Sequence, residues 1–522
     1  MNRGTGTDER NTMKNRTISI ALSLLFNCFI LACFAGVSET DTWKDSVPAP
    51  VFEKTPGYVE LYWKAWELAH DKIKEQPGLP QSPYIDEAFW QDTIWIWDTC
   101  FMVMFCKYAP DEFPGVESLN NFYVPLHADK YKRGTYPLNI QHPDNPPLFA
   151  WVEYDNFIVA DNRDHVKNLL EKNQYLQKHF AWFDNVEPGW RFLSNAEQRK
   201  RSAKIRLKKT EHGYLWGGIQ SGMDNTPRNR DGLWIDAISQ QALSALYISR
   251  LAERVGLEDT AREWSLKYED LKQTINTFYW DEEDGIYYDI HPETLEPLKV
   301  KTPASFWPML AEVCTPEQAE RMVEHITNPN TFGGERPWAT VARSDPAFTT
   351  PDGNYWRGGI WLPTAYMGTK ALEKYGYYKE ADQAAEALLA HMLRTYKNFD
   401  PGTIWECYSP TRDAPANHGK KQVRPDFCGW SALGPISMFI ENVMGFHVVD
   451  AQKKTIEWRL HQLGRHGIKN LRFGDIVTDI LYDGKNTVTV NSNNPYTLII
   501  NGTSWPIDAG QNTIQIPASS TN

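Results

Sequence analysis

Apolar residues recur every three to four positions along most of the chain, the spacing of a helix with one buried face. The segment "GYVELYWKAWELAHDKIKEQ" (residues 57–76) keeps this period and stops at Pro77-Gly78, a helix-ending pair. Next, "FWQDTIWIWDTCFMVMFCKYA" (residues 89–109) is apolar almost all round, which predicts a helix buried on every side. The same spacing predicts helices near residues 149–160, 163–182, 233–256, 259–279, 303–312, 316–327, 359–376, 378–396 and 431–444. At Thr315-Pro316-Glu317-Gln318 an N-cap, a proline at the first helical position and a capping-box glutamine coincide. Only short strands interrupt these helices, "GIYYDI" (residues 285–290) among them. At about residue 447 the texture changes. "FHVVDAQKKTIEWRL", "IKNLRFGDIVTDILYDG" and "NTVTVNSNNPYTLIING" set β-branched residues between Gly and Asn turns. The expected architecture is a mainly α toroid of helical hairpins over residues 41–446, then a small all-β sandwich over residues 447–522. A toroid of this kind opens a pocket at the end where its inter-helix loops converge.

Ahead of the first helix, "MKNR" and the apolar "TISIALSLLFNCFILACFAG" read as a signal peptide within residues 1–40. "ILAC" resembles a bacterial lipobox, so export to the periplasm or the cell surface is expected, with a lipid on Cys33 as the one contact with membrane. The five later cysteines (Cys100, Cys106, Cys314, Cys407, Cys428) lack paired CxxC spacing, so neither a zinc site nor a dense disulfide framework is expected. Cys407 and Cys428 remain candidates for pairing or for buried thiols. With a net charge of −12 and no basic run interleaved with aromatics, nucleic acid is excluded as a partner. The basic "QRKRSAKIRLKK" (residues 198–209) reads as a solvated helix face or loop. HExxH, P-loop, EF-hand and GxSxG patterns are absent, and no metal or cofactor is expected. The 21 tryptophans exceed what a core needs, and some can line a groove where flat rings stack on sugar C–H faces.

Five loops carry the candidate chemistry. "GGIQSGMDNTPRNRDGLWID" (residues 217–236) sets Asp224, Asn225 and Arg228 in a polar, glycine-rich turn just after Trp216. "NYWRGGIWLPTAY" (residues 354–366) carries Trp356, Arg357 and Trp361, and "DPGTIWECYSPTRD" (residues 400–413) carries Glu406 between Trp405 and Tyr408. "IWIWDTCF" (residues 94–101) places Trp97 beside Asp98, and "NIQHPDNPPLFAW" (residues 139–151) offers Gln141. Singly, each has an ordinary reading: Asp98 or Arg357 in a buried ion pair, Asp224 bracing its own turn, Glu406 capping a helix. Together they match glycoside hydrolysis, which needs two carboxylates across one bond, one protonated and one ionised. The glycines are expected to bring backbone close to the sugar.

"SGMDNTPR", "NYWRGGIW" and "WECYSP", in that order, resemble the clan of trehalases and glycoside hydrolase family 63, nearest its bacterial mannosylglycerate-hydrolase-like branch. The likeness spans roughly residues 85–445 and includes "WDT" and "WDEEDGIYYDI". It implies an (α/α)6 six-hairpin barrel that cleaves α-glucosides or α-mannosides with inversion, acting on a disaccharide, an oligosaccharide or a glycosylglycerate. It implies Asp224 as general acid and Glu406 as general base. Trp97, Asp98, Gln141, Trp356 and Arg357 then fall at positions that bind the sugar. Trp216, Asn225, Arg228, Trp361, Trp405, Tyr408 and Trp430 fall around them. Cys407 departs from the Tyr or Asn expected beside the base, which bears on substrate choice. A glycoside phosphorylase on the same toroid, or a binding protein without catalysis, are the competing readings.

Overall fold

The computed structural model describes residues 42–129, 135–193 and 202–517. The expected export signal, Cys33 and the start of the basic stretch (residues 198–201) lie outside them.

Six helical segments close a ring: Ile96–Cys106, Phe149–Ala160, Ile235–Arg254, Pro303–Phe306 running into Trp307–Leu310, Leu362–Lys374, and Ser431–Leu433 running into the π-helical Gly434–Val443. Each packs on the next, and the last packs back on the first. Outer helices cover them, Glu258–Phe278 against Ile235–Arg254 and Tyr378–Asn398 against Leu362–Lys374. The two layers differ in pattern for a physical reason. Inner helices have neighbours on all sides, so Gly434–Val443 is buried throughout. Glu258–Phe278 buries only Trp264, Tyr268 and Ile275 and turns its polar face outward. This is the expected (α/α)6 toroid, and the capping box at Thr315 and Gln318 forms as read.

Two helices depart from expectation. The first inner helix begins at Ile96 rather than near residue 89. Buried Asp86 accepts hydrogen bonds from the Ala88 amide (2.6 Å) and the Thr99 hydroxyl (2.5 Å), which holds the preceding chain in a loop. Thr93–Ile94 then pairs in parallel with Asn139–Ile140. The helix expected over residues 163–182 is broken by a π turn (Asn168–Lys172) and by Gln174 at φ 53°, and it resumes as Tyr175–Asn185.

The C-terminal strands form two sheets. A four-stranded sheet orders Phe446–Asp450, Thr455–Trp458, Tyr496–Ile500 and Thr503–Ile507. A five-stranded antiparallel sheet orders Ala49–Phe52, His466–Phe473, Ile476–Tyr482, Thr487–Ser492 and Gly510–Gln515. Its edge strand Ala49–Phe52 comes from the other end of the chain and pairs with residues 466–469. Ile476–Tyr482 alternates buried and half-buried positions, the period-two signal that marked the region.

Candidate active site

Loops that precede five of the six inner helices, all at one end of the ring, reach a single cavity of about 220 Å³. Trp95, Trp97 and Asp98 come from the start of the first inner helix, and Gln141, His142 and Asn145 precede the second. Ile219, Gly222 and Asp224 precede the third; Tyr355, Trp356 and Trp361 precede Leu362–Lys374. Glu406, Arg424 and Trp430 precede the last. These helices therefore present their N-terminal ends to the cavity.

Two carboxyl groups in it have opposite surroundings. Asp224 opens onto the cavity, yet protein rings the carboxyl on its other sides. That burial and the neighbouring Glu406 push its pKa up to about 7, while Arg424 pulls the other way. Its one hydrogen-bonding support comes from its own backbone rather than from a side chain. Glu406 is buried and well supplied with donors: the Tyr355 hydroxyl at 2.9 Å, the Arg424 amide at 3.2 Å and the Arg424 guanidinium at 3.5 Å. Asp98 is a third carboxyl. Burial, then Asp86 and Glu87, raise its pKa well above the usual range against the pull of Arg424.

Glu406 is aimed by a strained turn. Asn354 and Tyr355 both take positive φ, 39° and 67°, which non-glycine residues hold only when the surroundings enforce it. Asn225 does so: its side chain donates to the Asn354 carbonyl (3.0 Å) and accepts from the Trp356 amide (2.8 Å). His418, on the hairpin Asn417–His418/Lys421–Gln422, stacks on Tyr355 with centroids 4.2 Å apart. Asn225, the residue after Asp224, thus fixes the tyrosine that bonds Glu406.

The glycines pack the loop, and Gly222 lines the cavity. Gly222, at φ 79°, lies so close to the Trp97 ring that a Cβ would stand 2.7 Å from it. A Cβ on Gly218 would meet the Asp224 carbonyl oxygen at 2.4 Å. They fold the Asp224 loop down onto Trp97 and onto itself.

Trp97, Asp98, Gln141, Asp224, Trp356, Trp361, Glu406 and Trp430 all line the cavity. Trp356 stacks on Trp361 at 3.9 Å, and Trp430 leans on Trp361 at 5.4 Å, making one aromatic wall. The other singled-out residues do not line it. Buried Arg228 forks between Asp236 (2.7 Å) and Asp289 (2.8 Å), bracing the chain after Asp224. Trp216 is in the core, donating to the Asp144 carbonyl at 2.9 Å. Trp405 packs on Phe399, and the Tyr408 hydroxyl accepts from the Trp405 amide at 3.2 Å. Asn225 acts on backbone, and Arg357 is half-buried outside the lining. Sequence spacing put these near the motif but could not tell which way each side chain turns. Cys407 and Cys428 are free buried thiols, and the Cys428 thiol bonds Glu87 at 3.2 Å.

Several lining residues were not singled out in the sequence: Glu87, Phe89, Trp90, Trp95, His142, Asn145, Tyr355 and Arg424. Tyr355 and His142 sit inside motifs already quoted and were passed over there. Arg424 follows the 417–422 hairpin and carried no local signal. Three buried polar atoms on this lining have no protein partner among the described residues: Trp97 Nε1, His142 Nδ1 and Asn145 Oδ1. Burial lowers the His142 pKa to about 4, so the ring is neutral. A donor, an acceptor and a neutral imidazole are what the hydroxyls of a sugar ring can satisfy.

A ring of six helical hairpins with carboxylates, aromatics and free polar atoms at one mouth defines a six-hairpin glycosidase. The model of the mannosylglycerate hydrolase MGH1-like glycoside hydrolase domain matches residues 141–427, more than half of the chain, and the protein belongs to that family, a glycoside hydrolase of family 63 type. An uncharacterised protein of Borreliella burgdorferi is 27% identical over 81% of this chain and 87% of its own. A mannosyl-oligosaccharide glucosidase of Arabidopsis thaliana is 24% identical over 72% of this chain, which spans only 49% of that relative. Among solved structures, the family 63 mannosylglycerate hydrolase of Thermus thermophilus in complex with glucose superposes with a TM-score of 0.54 at 16% identity, covering 72% of this chain and 99% of that one.

Proposed function

We propose that the protein hydrolyses an α-linked glucoside or mannoside with inversion, with Asp224 as general acid and Glu406 as general base. The observation that carries this is the contrast between the two carboxyls. One has its pKa raised to about 7 and can hold a proton near neutrality; the other is buried among three hydrogen-bond and charge partners. Asp224 protonates the departing glycosidic oxygen. Glu406, steadied by Tyr355 and Arg424, takes a proton from water as it attacks C1 from the opposite face. Asp98, whose carboxyl burial pushes toward the protonated form, can donate to a sugar hydroxyl when it carries its proton, and the Trp356–Trp361–Trp430 wall gives the ring a face to lie on. Glu87, Asp98, Asp224 and Glu406 line the cavity, and Arg424 is the only lysine or arginine among its described lining residues. That one guanidinium already faces Glu406, so a phosphate dianion would find little to balance its charge, which favours hydrolysis over phosphorolysis.

Proton NMR during the first minutes of hydrolysis tests the mechanism. An α-substrate should release the β-anomer first. Initial release of the α-anomer would mean a covalent intermediate on Glu406 and would rule out a base acting through water.

A further inference from the structure

The cavity does not end at the two carboxyls. Phe89 and Trp90 stand at its mouth, 53% and 49% exposed, with Ile219 at 50%. Large apolar side chains this exposed are few among the described residues, and the other three, Leu266, Tyr378 and Leu463, are absent from this lining. Leaving three together in water costs stability, so their clustering at one rim calls for a ligand. The rings are mutually packed: Phe89 to Trp90 at 4.5 Å, Phe89 to Trp95 at 5.8 Å and 26° apart, Trp90 to Trp95 at 5.6 Å. Arg424 lies over Phe89 at 3.9 Å, and the same guanidinium faces Glu406 at 3.5 Å, so its charge is already matched. Ile219 belongs to the loop that carries Asp224, which puts the rim beside the acid and hence where a leaving group departs.

We propose that Phe89, Trp90 and Trp95 form the leaving-group platform of this site, and that they select a neutral sugar ring over a small anionic acceptor such as glycerate. The inference rests on the glycosidase reading above. A pyranose offers C–H faces that can lie flat on an aromatic platform. A glycerate carboxylate has no such face. It would sit beside ionised Glu406 with one arginine, itself already engaged by that carboxylate, to offset the repulsion.

The test uses the full chain, wild type and Trp90→Ala, on three kinds of substrate in both gluco and manno forms: an α-glycosyl fluoride, neutral α-disaccharides and an α-glycosylglycerate. Fluoride leaves without occupying the platform. Trp90→Ala should lower kcat/KM on the preferred disaccharide about five-fold or more while changing fluoride hydrolysis by less than about two-fold, and Trp90→Phe should restore most of the loss. The retained fluoride activity also shows that the variant folds. Equal losses on fluoride and disaccharide overturn the platform, as does a wild-type preference for the glycosylglycerate over every neutral disaccharide. A wild-type protein inert on all three overturns the glycosidase reading itself, a result distinct from the other two.

Discussion

The two ends of the helical ring surround their carboxylates differently. At the N-terminal ends, Asp224 and Asp98 face a cavity whose lining has four carboxylates and one arginine, and both have raised pKa values. At the C-terminal ends of the same helices, each carboxylate meets a cation: Lys107 with Asp155 at 2.8 Å and Glu441 at 3.0 Å, Lys370 with Glu373 at 2.9 Å, and Arg254 with Asp450 at 3.0 Å. Burial opposes the charge of Glu441 as well, but Lys107 and Lys370 hold its pKa below the ordinary range. The ends differ in depth as well as in neighbouring cations: Asp224 is open to the cavity and Asp98 half-buried, while Glu441 and Asp450 are buried, and Lys107 and Lys370 outweigh burial at Glu441 although Asp155 beside them stays raised.

The contrast can be broken from either side. The largest effect should come from Asp224→Asn, which removes the proton the leaving oxygen needs. Rates on ordinary glycosides should fall by about 10²–10⁴-fold, while a glycosyl fluoride is much less affected. Equal losses on both substrates would take Asp224 out of the acid role. In the wild type, kcat/KM should decline as pH rises through about 7, because deprotonated Asp224 has no proton to give.

At the other end, Lys107→Met strips one cation from Asp155 and Glu441 together. Thermal or denaturant unfolding should show a loss of about 3–5 kcal/mol, the usual cost of an uncompensated buried charge. A loss under about 1 kcal/mol would mean that solvent reaches this network.

A smaller change follows from Tyr355→Phe. Hydrogen bonds to charged groups are worth about 1.5–3 kcal/mol, so kcat should drop by roughly ten-fold or somewhat more with the fold intact. An unchanged kcat would show that Arg424 alone suffices to steady Glu406.

The last effect is on stability; its sign differs between the ends, and Asp224's openness to the cavity discounts it below the others. Asp224 has a folded pKa of about 7 against 3.8 unfolded, so the folded state binds its proton more tightly. Its contribution is present below pH 3.8 and is lost as pH rises to about 7. Asp224→Asn should therefore leave stability unchanged at pH 4 and raise it at pH 8. Glu441 is shifted the other way, so its contribution holds above its unfolded value of 4.5 and fades as pH falls below it. Unfolding of Asp224→Asn and Glu441→Gln across about pH 2–8 reads the two slopes directly.

What the sequence determined by itself were the features set by local periodicity. The helical hairpins, the change to strands near residue 447 and the capping box at Thr315 are all visible in a window of a few residues, because burial on one face repeats with the element's own period. The loops that meet at the cavity were also legible, since glycine, aromatic and carboxylate residues stood out against helical surroundings. The sequence could not say which way side chains turn within those loops. Arg228 and Trp356 look equally suited to a sugar, yet two buried aspartates from later in the chain claim the first, and Trp361 stacks the second into the cavity wall. Nor does an all-apolar run reveal where its helix begins. Residues 89–95 became the cavity rim because Asp86, packed against Thr99, captures the backbone there. Arg424, Tyr355 and the edge strand Ala49–Phe52 owe their places to partners 18, 51 and more than 400 positions away. Local propensity ends within a turn or two, while charge pairing and close packing act between whatever residues the closed ring brings together.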